Sequence, residues 1–385
     1  MVNSLGVAHS CYKWLPLTEN WIYRQIAYLP KGVETHVIAE RRENADSFPW
    51  PHLHVLADHR LLYYADRAAR RLGWRQHLQF VTTQVRKTGV QILHTHFGDR
   101  GWRNLAVAKK NHVKHIVTFY GYDVNLILQV DPNWYGRYTQ LFAEVDLILC
   151  EGPYMRQSII NLGCPPQKVH TQHLGVETEK IIYQPRQWNP GQPLRVLMAA
   201  SFIEKKGFPY GLQALGQIQK DYPIEITIIG DARHETRSIA EKEHIMTSIA
   251  QANLQKSVTF LGYQPYERLM KEAYTHHLFL SPSILASDGD SEGGAPVALI
   301  DMAATGIPIV SSFHCDIPAI IKHKETGRLA AERDVNDIAA QIRWWLEHPE
   351  AWDDLLANGR KHIEQEYNAV IQGQRLAQIY KDILA

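Results

Sequence analysis

The feature that most constrains this chain is a pattern run twice: short apolar segments, each followed by a stretch with helical spacing. In the first half the segments lie at 5–10, 35–39, 53–56, 90–93, 115–119, 145–150 and 169–173; in the second at 195–199, 225–229, 258–261, 277–280 and 307–310. Strands alternating with helices imply parallel sheets covered on both faces, so each half is expected to be a doubly wound α/β unit. Residues 181–194 interrupt the alternation with Pro185, Asn189, Pro190, Gly191 and Pro193 and no apolar period. The boundary is placed there, giving domains at 1–180 and 194–366. A chain of 385 residues is also too long for one core.

Charge separates partner classes. The net charge of +1 conceals a basic stretch, because residues 51–120 hold twelve Lys or Arg against Asp58, Asp66 and Asp99. Such a stretch suits anionic lipid, nucleic acid or a phosphorylated substrate. It lacks the aromatic pattern of an RNA-binding motif, so nucleic acid is not the expected partner. Cys11, Cys150, Cys164 and Cys315 show no metal-like or paired spacing, a reduced and cytoplasmic pattern. No run of 18 apolar residues and no basic–apolar leader occurs, which leaves attachment to a membrane surface as the one membrane role expected.

Residues 288–310 are the densest candidate site. Asp288, Asp290, Glu292, Gly293 and Gly294 lead into Pro296, expected in the first helical turn; Gly306 is expected to end that helix in a left-handed conformation. A glycine-flanked helix start offers unpaired N–H groups to a phosphate, and carboxylates beside it suit sugar hydroxyls. A plain turn into a helix accounts for the same letters. In the first half, His94 and His96 are expected in a loop after one strand, and Tyr120 and Tyr122 in a loop after the next, both at the strand ends where doubly wound sheets bind ligands. Thr18, Glu19 and Asn20 are expected to cap a helix. Over 58–87 the apolar positions Leu61, Leu62, Tyr64, Ala65, Ala68 and Leu72 recur at helical spacing, which predicts a buried face with the arginines outward. Neither half has G-x-G-x-x-G after its first strand, which argues against a nicotinamide dehydrogenase.

Taken together, AASFIEKKGF (199–208), TIIGDA (227–232), VTFLGY (258–263) and EGGAPVALIDMAATGIPIVSS (292–312), with TENWIYRQI (18–26), HTHFG (94–98), TFYGYDV (118–124) and HLGVE (173–177), resemble retaining glycosyltransferases of family 4 over essentially the whole chain. The resemblance implies the GT-B fold, two Rossmann-like domains facing each other across a cleft, with the C-terminal helix at about 368–385 packed back on the first. It implies transfer of a sugar from a nucleoside-diphosphate sugar bound by the second domain to a glycan, glycolipid or small-molecule acceptor bound by the first. It implies no metal and no further cofactor, and work in polysaccharide assembly in the cytoplasm or peripherally on an anionic membrane surface.

By the same resemblance Lys206 faces the diphosphate, with Ser201 beside it; Gly293, Gly294, Ala295 and Pro296 line the donor, Glu292 holds sugar hydroxyls and Asp301 the ribose. Acceptor contacts fall on His96, Arg100, Tyr120, Tyr122 and Asp123, of which His96 and Asp123 are expected to orient the acceptor. The chain departs from the family pattern in three places. Glu292 and Asp301 stand one residue further apart than the usual acid pair, Ala200-Ser201 replaces Gly-Arg and so removes one diphosphate cation, for which Lys205 and Arg233 are the candidate replacements, and Tyr120 stands where a histidine is common. Front-face attack, with the leaving phosphate accepting the acceptor's proton, fits the lack of an evident carboxylate nucleophile. A GT-B epimerase or phosphorylase, and a non-catalytic sugar-nucleotide-binding relative, are the alternatives.

Overall fold

The structure, a computed structural model, describes residues 5–16 and 19–385. The expected capping residue Thr18 lies outside the described residues. The chain divides into two compact units, one of residues 1–176 and 369–385, the other of 177–368.

The first unit holds a parallel sheet of seven strands: β1 (Leu5–Trp14), β2 (Val33–Arg42), β3 (Leu53–Val55), β4 (Ile92–His96), β5 (Lys114–Thr118), β6 (Leu147–Cys150) and β7 (Val169–Thr171). Their order is β3-β2-β1-β4-β5-β6-β7, so the chain reverses direction across the sheet between β1 and β4. Ligands of such sheets gather at the carboxyl ends beside that reversal. The last helix, Ala369–Asp382, belongs to this unit: Leu376 and Tyr380 are buried against Val7, Ile92, Ile116, Leu147 and Leu149.

The second unit has six parallel strands: β8 (Leu194–Ala199), β9 (Ile224–Ile229), β10 (Val258–Gly262), β11 (Leu278–Ser281), β12 (Ile309–Ser312) and β13 (Arg328–Ala330). The order β10-β9-β8-β11-β12-β13 repeats the same plan, with its reversal between β8 and β11. Strand β13, only three residues long, escaped the sequence pattern.

Three expectations need correction. His94 and His96 lie within β4 and are fully buried rather than in a loop beyond it. Pro296 is the residue before the helix Val297–Thr305 rather than in its first turn, while Gly306, at φ 81°, does close it left-handed. The basic region forms two helices, Arg60–Arg71 and Gln79–Thr88, and the apolar stripe of the first faces solvent. Leu61, Tyr64 and Leu72 are 89, 61 and 62% exposed, and Trp74 just beyond is 77% exposed. Polar ties fix that rotation. Buried Asp66 accepts the backbone N–H groups of Gln79 and Phe80, at 3.1 and 2.8 Å, and so caps the next helix. Arg67 and Arg70 reach inward to the buried carboxylate of Glu40, the reverse of the outward arginines expected.

Candidate functional site

In the second unit the candidate site grows from the carboxyl ends of β8 and β11, which pair directly at the sheet's reversal. The turn after β8 carries Ser201, Lys205 and Lys206. It closes at Gly207, whose φ of 64° and whose missing Cβ, which would fall 1.9 Å from the Pro282 carbonyl oxygen, leave glycine as the residue that fits. That close approach brings the β8 and β11 loops together.

Lys206 Nζ donates to both carboxylate oxygens of Glu292 at 2.8 Å, and the Ser283 hydroxyl donates to one of them at 2.7 Å. Burial alone would push the Glu292 carboxyl up, but Lys206 and then Lys205 outweigh it and hold it at about 2. Lys205 is committed to the loop itself, donating to Asp290 at 2.9 Å and to the Ser291 carbonyl at 2.8 Å. Arg237 reaches Asp290 at 3.2 Å and Asp288 at 3.5 Å. Asp288 and Asp290 therefore staple the loop. His314 accepts the Glu292 N–H through Nε2 at 3.2 Å and pairs through Nδ1 with Glu332 at 2.7 Å.

The loop N–H groups are partly consumed. Gly293 donates to the Ser291 hydroxyl and Gly294 to the Glu292 carbonyl, while among the described residues no hydrogen bond takes the Ala295 N–H. Asp301, buried on the helix Val297–Thr305, accepts from the Tyr266 hydroxyl at 3.0 Å. Arg233 is exposed, its backbone N–H held by the Ser238 hydroxyl. Ser283, His314 and Tyr266 carried no sequence signal, since each meets its partner, 9, 22 and 35 residues away, only through the fold.

In the first unit, Asp123 is fully buried and accepts three backbone N–H groups: Gly98 at 2.7 Å, and Tyr120 and Gly121 at 3.0 Å. Burial pushes its carboxyl up to about 7 against those bonds. It thus pins the loop after β5 to the helix start after β4. Tyr120 is buried and Tyr122 is 47% exposed. The Tyr120 hydroxyl meets His96 Nδ1 at 2.6 Å and begins a chain of hydrogen bonds. His96 Nε2 meets His9 Nδ1 at 3.0 Å, His9 Nε2 meets the Tyr380 hydroxyl at 3.3 Å, the Tyr380 hydroxyl meets His94 Nδ1 at 2.6 Å, and His94 Nε2 meets Thr118 Oγ1 at 2.6 Å. One neutral tautomer on each ring, all pointing the same way, satisfies every link. Burial holds all three imidazoles well below their usual range. His9, His94 and His96 have the residue types of a metal-ligand trio, with ligand atoms within 4.8 Å of one another, yet all six ring nitrogens already have partners.

Comparison with known proteins decides the family. The Glycosyltransferase Family 4 model matches residues 18–180 and the Glycosyl transferases group 1 model residues 181–362. The chain belongs to glycosyltransferase family 4, group 1. This family 4 glycosyltransferase is 32% identical to the amylovoran biosynthesis glycosyltransferase AmsK of Erwinia amylovora, over 78% of this chain and 72% of that one. It is 28% identical to the putative colanic acid biosynthesis glycosyltransferase WcaL of Salmonella typhimurium, over 80 and 74%. Among solved structures it shares its fold with the sucrose-phosphate synthase of Thermosynechococcus elongatus (TM-score 0.77, 17% identity, 99% of each chain). It likewise shares the fold of Anabaena HepE, solved in complex with UDP and glucose (TM-score 0.75, 13% identity, 98 and 100% covered).

Proposed function

We propose that this glycosyltransferase binds a nucleoside-diphosphate sugar on its second unit and transfers the sugar, with retention of anomeric configuration, to an acceptor held by the first. Cell-surface polysaccharide assembly is the setting that its amylovoran- and colanic-acid-related relatives support. The observation that carries the reading is the Lys206–Glu292 pair, with the Glu292 side chain buried and Lys206 half-buried, at the reversal between β8 and β11. A lysine there is fixed in advance beside the position where a leaving diphosphate gains charge, the largest single source of rate in such chemistry. Glu292 is ionised and accepts from sugar hydroxyls, and Asp301 accepts from the ribose. The Ala295 N–H and the start of the helix Val297–Thr305 face the diphosphate.

In the step itself the acceptor oxygen bonds to the anomeric carbon on the face that the diphosphate leaves. The bond to the diphosphate breaks, and the acceptor's proton passes to the departing phosphate oxygen. Neither metal nor cofactor is required. Tyr120, fixed by His96 and Asp123, orients the acceptor together with Tyr122.

A donor at 100 times its dissociation constant stabilises the fold by about 2.7 kcal/mol, a shift of several degrees in melting. Screening sugar nucleotides by melting temperature is expected to single out one base and sugar; a flat response to the whole panel would sink the donor assignment. The product's anomeric coupling by NMR then reports retention or inversion.

The exposed Leu61, Tyr64, Leu72 and Trp74, beside Arg60 and Arg71, favour peripheral docking of the first unit on an anionic membrane. Each surface-near arginine adds about 1 kcal/mol to such docking. Sedimentation with phosphatidylserine vesicles at low salt is expected to carry the protein down, and Leu61→Glu with Trp74→Glu to leave it in solution. Wild-type protein remaining in the supernatant would exclude the surface.

A further inference from the structure

At the carboxyl ends of β1, β2 and β4, beside the first sheet's reversal, lie five arginines, of which only Arg100 was expected from the resemblance, as an acceptor contact. Arg41 comes from β2, Arg67 and Arg70 from the helix Arg60–Arg71, and Arg100 and Arg103 from the first turns of the helix Gly98–Asn111. Shared partners place Arg41, Arg67, Arg70 and Arg100 together, and Arg103 lies near enough for Arg70 and Arg100 to act on its charge. The fully buried Glu40 carboxylate faces Arg67 at 3.0 Å and Arg70 and Arg100 at 3.6 Å each. The Tyr63 hydroxyl accepts from both Arg41 and Arg67, and Arg100 lies 4.6 Å over the Tyr12 ring.

The charges do not balance. Among the described residues, the carboxylates within ion-pair reach of these five guanidiniums are Glu40 and Asp99, the latter 4.0 Å from Arg103. Nor are all the cations at the rim, since the side chains of Arg100, Arg70 and Arg103 are 13, 24 and 33% exposed. Crowded, partly buried like charges oppose one another, and here burial first, then Arg70, Arg100 and Arg137, hold the Arg103 guanidinium below its usual range. Glu40 Oε2, although near two of the arginines, makes no hydrogen bond, so the forks of Arg70 and Arg100 are not spent on it.

We propose that this cluster is a binding site for a phosphate or diphosphate group carried by the acceptor. The forks of Arg70 and Arg100, both beside Glu40 and not spent on it, match a multi-oxygen dianion, which would also cancel the local excess of positive charge. The position fits as well, at the strand ends beside His96, the last residue of β4, and the loop of Tyr120. The proposal rests on the first unit being the acceptor-holding one, but anion binding can be read without turnover.

The test uses the full chain with inorganic pyrophosphate as probe, by calorimetry at low salt with the donor site blocked by a saturating nucleoside diphosphate. Wild type and Lys206→Ala are expected to bind pyrophosphate alike. Arg70→Gln with Arg100→Gln is expected to weaken it by at least about tenfold, while leaving nucleotide binding intact. Without ligand, that double variant is expected to melt no lower than wild type, because it relieves repulsion; if these arginines only brace Glu40, it melts lower. Undiminished pyrophosphate binding in the double variant, or a fall in its ligand-free melting temperature with no change in affinity, overturns the site. Should the double variant not fold, Arg100→Lys, which keeps the charge but removes the fork, is read the same way. A soluble prenyl diphosphate compared with pyrophosphate separates sources: equal affinity means that the phosphates alone are read, tighter binding that lost only with the arginines means a lipid-linked acceptor. If pyrophosphate binds at the arginines and no sugar nucleotide is turned over, the transfer reading fails and the anion site stands.

Discussion

Replacing Lys206 by alanine is expected to lower turnover at saturating donor by about 10²–10³-fold, the usual cost of removing one preorganised charge from a transition state. The substitution has a second consequence. Glu292 is buried, and Lys206 is the first of the groups that keep it ionised. Without the lysine, a buried carboxylate loses its main counter-charge, at a cost of about 3–5 kcal/mol. Lys206→Ala should therefore also melt several degrees lower, with its Glu292 carboxyl raised. Lys206→Ala combined with Glu292→Gln should recover most of that stability and none of the activity. Lys324→Ala, at an exposed lysine, serves as the control and should retain turnover. Equal turnover in the two single variants would remove Lys206 from the site, and an inactive but fully stable Lys206→Ala would show that the pair does not stabilise the fold.

The second large effect is acid instability of the first unit. Burial drives His9 and His94 well below 6.5, His96 to about 3 and His115 to about 4. An unfolded chain binds protons on these side chains near pH 6.5, whereas the folded chain does not. Their contribution is thus fully present above pH 6.5 and is lost as pH falls from there toward 4, by about 1.4 kcal/mol per pH unit for each imidazole. Asp123, whose carboxyl burial raises to about 7, works in the opposite sense and offsets about one imidazole, so the net loss is about 8 kcal/mol over roughly two pH units, against a whole domain stability of about 5–15 kcal/mol. Melting temperature is expected to fall steeply between pH 6.5 and 4.5, and His115→Gln to flatten the slope. Glu292 adds loss only below its ordinary range, as pH falls through 4.5 toward 2. Constant melting temperature down to pH 4.5 would mean that these imidazoles are hydrated.

Much of this protein was legible from its letters. Alternation of apolar runs with helical stretches determined two doubly wound units, because a strand buried on both faces must be apolar throughout and a covering helix must be amphipathic. Proline and glycine between 181 and 194 suggested a break there, but the two units part at Val176 and Glu177, and 181–194 lie within the second, where Gln184 and Arg186 donate backbone N–H groups to Thr305 and Gly306. The left-handed end at Gly306 was readable because only the local chain decides it. The EGGAP run pointed to Glu292 and Asp301 by resemblance.

What the sequence could not decide was set by distance in the chain. Whether Leu61 and Leu72 face a core or solvent depends on Asp66 capping a helix that starts 13 residues later and on Glu40 drawing Arg67 and Arg70 inward. A periodic stripe reads the same either way. His94 and His96 looked like loop residues because the apolar run stops at Leu93; in the fold they are buried, tolerably so because Tyr380, nearly 300 residues on, completes the hydrogen bonds of His94, and Tyr120 and His9 complete those of His96. Lys206 meets Glu292 across 86 residues, and three arginines meet Glu40 from two helices. Local sequence dictates backbone preference and burial pattern; which charges come to share one place is fixed only when strands take their order in the sheet and bring distant loops to the same edge.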